Sequence, residues 1–280
     1  MSEETKKRKP GVQRFITAVP LVAILITALA LGGWVMALTI AVCRAIALYE
    51  ELHALKQGGY NPVWWTSFAA LYVGVPLVLT HSRVTVAPVL LAATLAALVC
   101  VMCREKPELP DILMSVLPIL SLVLPGIFLY GILDTDPRSM QLYLLLMTFV
   151  IPILGDTMAY FVGSNVGGPK LCPAISPNKT ISGAIGGLLG SIFAAVLVGR
   201  IFTWSVPGVT FPPFWAELLV GLLGGAAAQI GDLFASMVKR HCKIKDFGHI
   251  FPGHGGMLDR LDSIVFTAII IYCLRAFIGA

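Results

Sequence analysis

The chain predicts an all-α, polytopic membrane bundle of about nine transmembrane helices with a cytoplasmic N-terminus, and three observations support this. Hydrophobic residues fill 57% of its 280 positions and the mean hydropathy is +0.86, which excludes an ordinary soluble domain. Several apolar runs approach or exceed the roughly 20 residues that cross a ~30 Å hydrocarbon core. Lipid offers backbone groups no hydrogen-bond partners, so these runs must be helical. Lysine and arginine are also distributed asymmetrically between the two sides that an alternating chain would define.

Run lengths and breakers place the spans near 15–31, 34–55, 62–80, 85–103, 111–133, 140–163, 181–204, 214–240 and 257–277. Gly32-Gly33 divides the first two, and Pro118 and Pro125 should kink the fifth. The sixth runs into a Gly/Pro-rich loop over 164–180. The basic cluster Lys6-Lys7-Arg8-Lys9 anchors the N-terminus inside, where it can also touch anionic headgroups. Alternation from that start places 15 of the 20 lysines and arginines on the cytoplasmic side. Arg83, Arg138, Arg200 and Arg275 fall on the far side, and Arg44 lies within a span. The first helix reads as retained, because no small-residue cleavage site with soluble sequence follows it. Three regions result: a basic segment over 1–14, N-terminal transmembrane helices over 15–135, and a C-terminal bundle over 136–280 that carries the candidate chemistry.

Cys43, Cys100, Cys103, Cys172, Cys242 and Cys273 are scattered. The lone C-x-x-C at Cys100 and Cys103 has no second pair, so neither a disulfide framework nor structural zinc is expected. Ser182, Gly183, Gly186, Gly187 and Gly190 give the seventh span a small-residue face, and Gly221, Gly224 and Gly225 do the same for the eighth. Such faces let helix backbones approach closely, so the last third of the chain should be a tight bundle.

Charged residues make up only 12% of the chain, yet they crowd the stretch 236–262. Asp156, Asp232, Asp259 and Asp262 lie within or at the ends of apolar segments. A carboxylate at the bilayer centre costs roughly 2.5–3.5 kcal/mol even on mild scales, so all four call for cations, bound metal or a wet cavity. Asp232, Ser236 and Lys239 share one helical face, and Asp259 and Asp262 are one turn apart beside Arg260. Hard carboxylate oxygens suit Mg²⁺, which commonly takes one or two carboxylates plus phosphate oxygens. The competing reading is a structural Asp–Lys or Asp–Arg pair. Between the two helices, Gly253-His254-Gly255-Gly256 presents backbone N–H groups just before a helix N-terminus, a ready anion site. Lys239, Arg240, Lys245 and Arg260 are placed to neutralise a polyphosphate.

A second constellation starts at Asp156, which shares a helix face with Tyr160 and Gly163, and continues to Ser176-Pro177-Asn178-Lys179-Thr180. These hydroxyls, the amide and the lysine form another anion cradle beside the seventh span. Ser176 to Lys179 fits S-x-x-K without the companion motifs of penicillin-binding enzymes. Asn178-Lys179-Thr180 fits a glycosylation acceptor on the wrong side of the membrane. His53 and His81 read as loop or helix-end residues, Arg44 as paired or snorkelling, Glu50 and Glu51 as facing Lys56, and His241 and His249 as solvated loop residues.

Together these motifs resemble the phosphatidate cytidylyltransferase (CDP-diacylglycerol synthase) family. Ser236, Lys239, Arg240, Lys245, Asp246, Gly248, Phe251, Pro252, His254, Gly255, Gly256, Asp259, Arg260 and Asp262 match its C-terminal signature. Asp156-Thr157, Ala159-Tyr160 and Ser176-Pro177, Lys179-Thr180 match upstream, so the motif regions cover about 155–262. Ser164 and Ser182 depart from the family's usual arginine and glutamate, which leaves details of nucleotide or phosphate contact open. The resemblance implies a reaction of CTP with phosphatidate to give CDP-diacylglycerol and pyrophosphate. It implies Asp232 and Asp259 as metal ligands, with Asp262 as a further ligand or an orienter of Arg260. Lys239, Arg240, Arg260 and His254 would hold phosphates. Ser176, Lys179 and Thr180 would contact a substrate, and Asp156 would support the polar cavity. Ser236, Lys245, Gly255 and Gly256 complete the expected substrate-binding set.

The same resemblance implies Mg²⁺, with a monovalent cation such as K⁺ as a second candidate. It also implies a homodimer among membrane lipids of a bacterial inner membrane, with the active site facing the cytoplasm and no nucleic-acid partner. The rival readings are an ion- or proton-coupled transporter and a nucleotidyltransferase for another anionic lipid.

Overall fold

The computed structural model describes residues 10–79, 86–251, 253 and 255–278. The basic cluster at 6–9, His81, Arg83, Pro252 and His254 lie outside the described residues. Helices α1 (Pro10–Leu31) and α2 (Gly33–Gln57) are divided at the expected glycine pair, and α3 (Trp64–Leu79) and α4 (Val86–Met102) follow. Next come α5 (Leu109–Pro118) and α6 (Leu124–Leu133), joined by a wider π turn at Ile119–Val123, and then α7 (Arg138–Val166). The C-terminal part adds α8 (Ile181–Ser205), α9 (Phe214–His241) and α10 (Leu258–Ile278). Among the described residues, four helical segments are long and apolar enough to cross a membrane: Leu109–Leu133, Arg138–Val166, Ile181–Ser205 and Phe214–His241.

The expected kink in the fifth span is the π turn, which lies between Pro118 and Pro125. Each proline removes an amide donor from the helical ladder. Arg44 of α2 meets this interrupted stretch, donating from Nη2 to the carbonyls of Val123 at 2.7 Å and Leu122 at 3.3 Å. Arg44 is 1% exposed, so of the two expectations snorkelling is corrected: the guanidinium is engaged inside the bundle, at an interrupted helix.

The small-residue faces do bring backbones together. A Cβ on Gly183 would lie 2.9 Å from the Ala159 carbonyl oxygen, and one on Gly190 would lie 2.6 Å from the Met158 Cβ. The seam between α7 and α8 therefore admits no larger residue at these points without spreading. On α9, a Cβ on Gly221 would stand 2.6 Å from the Ile192 Cα. The segment expected as a loop over 164–180 contains an antiparallel hairpin, β1 (Lys170–Cys172) and β2 (Ser176–Thr180), with Lys170 opposite Thr180 and Cys172 opposite Ser176. Thr180 ends the hairpin and starts α8, its hydroxyl accepting from the Gly183 amide at 3.1 Å as an N-cap.

Glu50 and Glu51 do not face Lys56. Both turn inward, at 4% and 2% exposure. Glu51 accepts from the Ser121 hydroxyl at 2.7 Å in the π turn, while Glu50 reaches the start of α10.

Candidate active site

Two cavities meet at Asp156. The first, of about 470 Å³, is lined by Asp156, Tyr160, Gly163, Ser164, Asn178, Lys179, Thr180, Gln229 and Asp232. Its wall is the end of α7, the hairpin, the start of α8 and the middle of α9. The second, of about 310 Å³, has an apolar body lined by Leu21, Leu25, Met36, Leu129, Phe149 and Ile153, and a charged end of Asp156, Asp259, Arg260 and Asp262. The first carries more polar side chains, the second is greasier, and a shared carboxylate joins them.

Each of the two carboxylates expected to hold metal carries a lysine ammonium. Lys179, projected from β2, pairs with Asp232 on α9, their side chains being 30% and 27% exposed. Lys239, near the end of α9, donates to Asp259 Oδ1 at 2.7 Å, and these side chains are only 12% and 5% exposed. Asp259 Oδ2 accepts from the backbone amides of Phe247 at 3.0 Å and Gly256 at 2.9 Å. The carboxylate thus folds the preceding loop over the N-terminus of its own helix, where the helix dipole also favours negative charge. Gly255 has φ +83°, and a Cβ there would come 2.8 Å from Asp259 Oδ2, so glycine is required both by conformation and by space.

The remaining acids close the cluster. Asp262 is buried, its Oδ1 accepting from the amide and hydroxyl of Ser263 at 2.7 and 3.1 Å. It lies within electrostatic range of both Asp232 and Lys239. Asp156 is exposed into the cavities and feels Asp232, Lys179 and Arg260. Asp156, Lys179, Asp232, Lys239, Asp259, Arg260 and Asp262, separated by up to a hundred positions in sequence, are therefore gathered at one end of the bundle.

Other expected site residues stand further out. Ser176, Ser236, Arg240 and Lys245 line neither cavity. Ser236 is buried on α9. Arg240 donates from Nε to the Ile175 carbonyl and from Nη1 to the Ile244 carbonyl, both at 3.4 Å, which links the hairpin to the loop after α9. Lys245 is exposed, and His254 is outside the described residues. His241, expected in a solvated loop, ends α9 and stacks on Tyr60 with ring centroids 5.4 Å apart. Sequence reasoning missed Glu50, whose Oε2 accepts from the Leu258 amide at 2.9 Å.

The two aspartates expected to hold metal are both engaged by protein donors. Asp232 and Asp259 offer carboxylate oxygens, and each already balances a positive charge. No group of three or more His, Cys, Asp or Glu side chains able to hold a metal occurs among the described residues.

A family model described as the cytidylyltransferase family matches residues 12–278. A relative in Synechocystis sp. named phosphatidate cytidylyltransferase is 32% identical across 93% of this chain and 94% of its own length. Relatives with the same name include one in Rickettsia conorii, 35% identical over 61% of this chain and 72% of its own. Another, in Brucella abortus, is 45% identical over 43% of this chain, and that match spans 42% of the relative's length. A model covering nearly the whole chain and a full-length relative agree with the charged cluster on which the resemblance rests: the chain belongs to the cytidylyltransferase family.

Proposed function

We propose that the protein transfers the cytidylyl group of CTP to phosphatidate, releasing pyrophosphate and forming CDP-diacylglycerol. The observation that carries this reading is the junction of two cavities, one edged by Lys179, Asn178, Thr180 and Asp232 and the other greasier, at one cluster of lysines and carboxylates. A water-soluble triphosphate fits the hairpin side. A lipid fits the other, with acyl chains along α1, α2 and α7 and its phosphate at Arg260.

A phosphatidate oxygen attacks the α-phosphorus of CTP, the bond from that phosphorus to the bridging oxygen breaks, and pyrophosphate leaves. The attacking oxygen is already anionic, so no strong general base is needed. The barrier is repulsion between two polyanions, and fixed positive charge aimed at the reacting phosphates lowers it. Asp232 and Asp259 would hold Mg²⁺, which would polarise phosphoryl oxygens and screen their charge. With two protein carboxylates at most, such a cation would leave the rest of its coordination to substrate phosphate oxygens. In this arrangement Lys179 and Lys239 leave their aspartates and turn to the phosphates. Asp262 and Asp156 keep the local field negative enough to retain cations, and K⁺ is proposed as a second occupant. Thr180 and Asn178 orient the phosphates on the hairpin side, the Gly256 amide being already taken by Asp259.

Nine membrane spans fit the helices if α5, the π turn and α6 count as one rod. The lysine and arginine distribution supports a cytoplasmic N-terminus and a site opening to the cytoplasm. A homodimer in a bacterial inner membrane completes the reading. Purified protein given radiolabelled CTP, phosphatidate and Mg²⁺ should yield labelled lipid, and excess EDTA should abolish it. Folded protein that produces no labelled lipid overturns the proposal.

A further inference from the structure

The loop between α9 and α10 is held from two sides by two carboxylates, and only one of them belongs to the C-terminal bundle. Asp259 takes the amides of Phe247 and Gly256 from one side. From the other, Glu50 reaches in from α2, some two hundred positions earlier, and takes the Leu258 amide at 2.9 Å. The Met257 amide also faces it. The side chain is 4% exposed. Gly248 and Gly256 lie flat against it: a Cβ on either would overlap the Glu50 carboxylate. Both glycines belong to the charged stretch that marks the site, and here their smallness is explained by this carboxylate.

A carboxylate buried this deeply needs a return for its desolvation. Its hydrogen bond falls on the first residue of α10, one position before Asp259, where free amides and the helix dipole make an anion site. Glu50 therefore fills one side of that helix end, directly against Gly256. Glu51, the next residue, anchors the same helix to the π turn through Ser121, so α2 is fixed at this level and makes a rigid strut.

We propose that Glu50 is a positioning residue. It sets the height and tilt of the start of α10, and through it the placement of Asp259 and Arg260 at the charged end of the second cavity. The N-terminal helices then contribute to the reacting geometry as well as to the lipid groove. The inference rests on the cytidylyl-transfer reading above.

The test compares wild type with Glu50→Gln, which keeps the size and one acceptor, and Glu50→Leu, which keeps neither. KM for CTP and for phosphatidate and kcat are measured at saturating Mg²⁺, with thermal unfolding in detergent as a check on folding. Glu50→Leu is expected to raise KM for phosphatidate by about tenfold or more, in the range typical of outer-shell supports, and to lower kcat. KM for CTP should stay within about twofold, since neither Glu50 nor the start of α10 lines the hairpin-side cavity. Glu50→Gln should show the same split by a smaller factor. A residue that merely stabilises the fold reduces the amount of active enzyme and leaves both KM values alone. Unchanged KM for phosphatidate in both variants, or equal rises for both substrates, overturns the proposal. If the leucine variant fails to fold, the glutamine variant decides by the same criterion. Wild-type protein that forms no labelled lipid defeats the underlying reading instead, so the two failures are distinguishable.

Discussion

The two walls of the site use the same pair of residue types in different ways. On the hairpin wall, Lys179 and Asp232 meet with about a third of each side chain still open. On the loop wall, Lys239 and Asp259 are nearly sealed, and the aspartate also accepts two backbone amides. The exposed pair can exchange its cation for a metal or a phosphate with little rearrangement. The sealed pair is also the closure of a loop, so chemistry and folding depend on the same carboxylate. An identical ion pair can therefore be a replaceable contact or a structural keystone, depending on burial and on what else the oxygens accept.

Asp259→Asn probes that difference most severely. An amide at Oδ2 would turn a donor towards the Phe247 and Gly256 amides, and one at Oδ1 would face the Lys239 ammonium. Either way a buried charge loses its partner, a loss of about 3–5 kcal/mol. Turnover should also disappear, while membrane insertion persists. Near-normal activity would remove Asp259 from the metal site, and an unchanged unfolding temperature would remove it from the loop. Asp232→Asn should separate the two effects. Activity should drop by about 10²–10³-fold, as when one stabiliser of transition-state charge is lost. Stability should move by about 1 kcal/mol or less, because a partly exposed pair contributes little. If Asp232→Asn destabilises as strongly as Asp259→Asn, the contrast between the walls is wrong.

The same contrast governs what could be read from the chain alone. Asp156, Asp232, Asp259 and Asp262 were legible because a carboxylate in an apolar run needs a reason, and the structure brings all four to one end. The loop glycines were expected as an anion site, and the carboxylate that lies against Gly248 and Gly256 was not foreseen. Glu50 sits at a helix end in a region rich in ordinary helix-end charges, and nothing local marks its turn inward. The hairpin was missed because strands of three and five residues rich in proline and lysine carry no alternating pattern. The prolines announced an interruption in the fifth span. That Arg44 would answer it depends on which helix packs alongside, which is a property of the tertiary fold.

Arg240 gives the mildest test, because it touches both walls at once. It was expected to grip phosphate, yet its guanidinium spans from the Ile175 carbonyl on the hairpin to the Ile244 carbonyl on the loop. At 3.4 Å these bonds lie beyond the usual N–H···O range and are weak, and the residue is exposed. Arg240→Gln should therefore cost about 1 kcal/mol or less in unfolding. Steady-state kinetics should show kcat/KM falling by less than about tenfold, or under 1.4 kcal/mol of transition-state stabilisation, with KM for CTP and phosphatidate little changed. A drop as large as that of Asp232→Asn, carried mainly by KM for CTP, would mean that the guanidinium swings off both carbonyls to meet the triphosphate. The hairpin and the loop would then be two faces closed by substrate, with Arg240 moving between them.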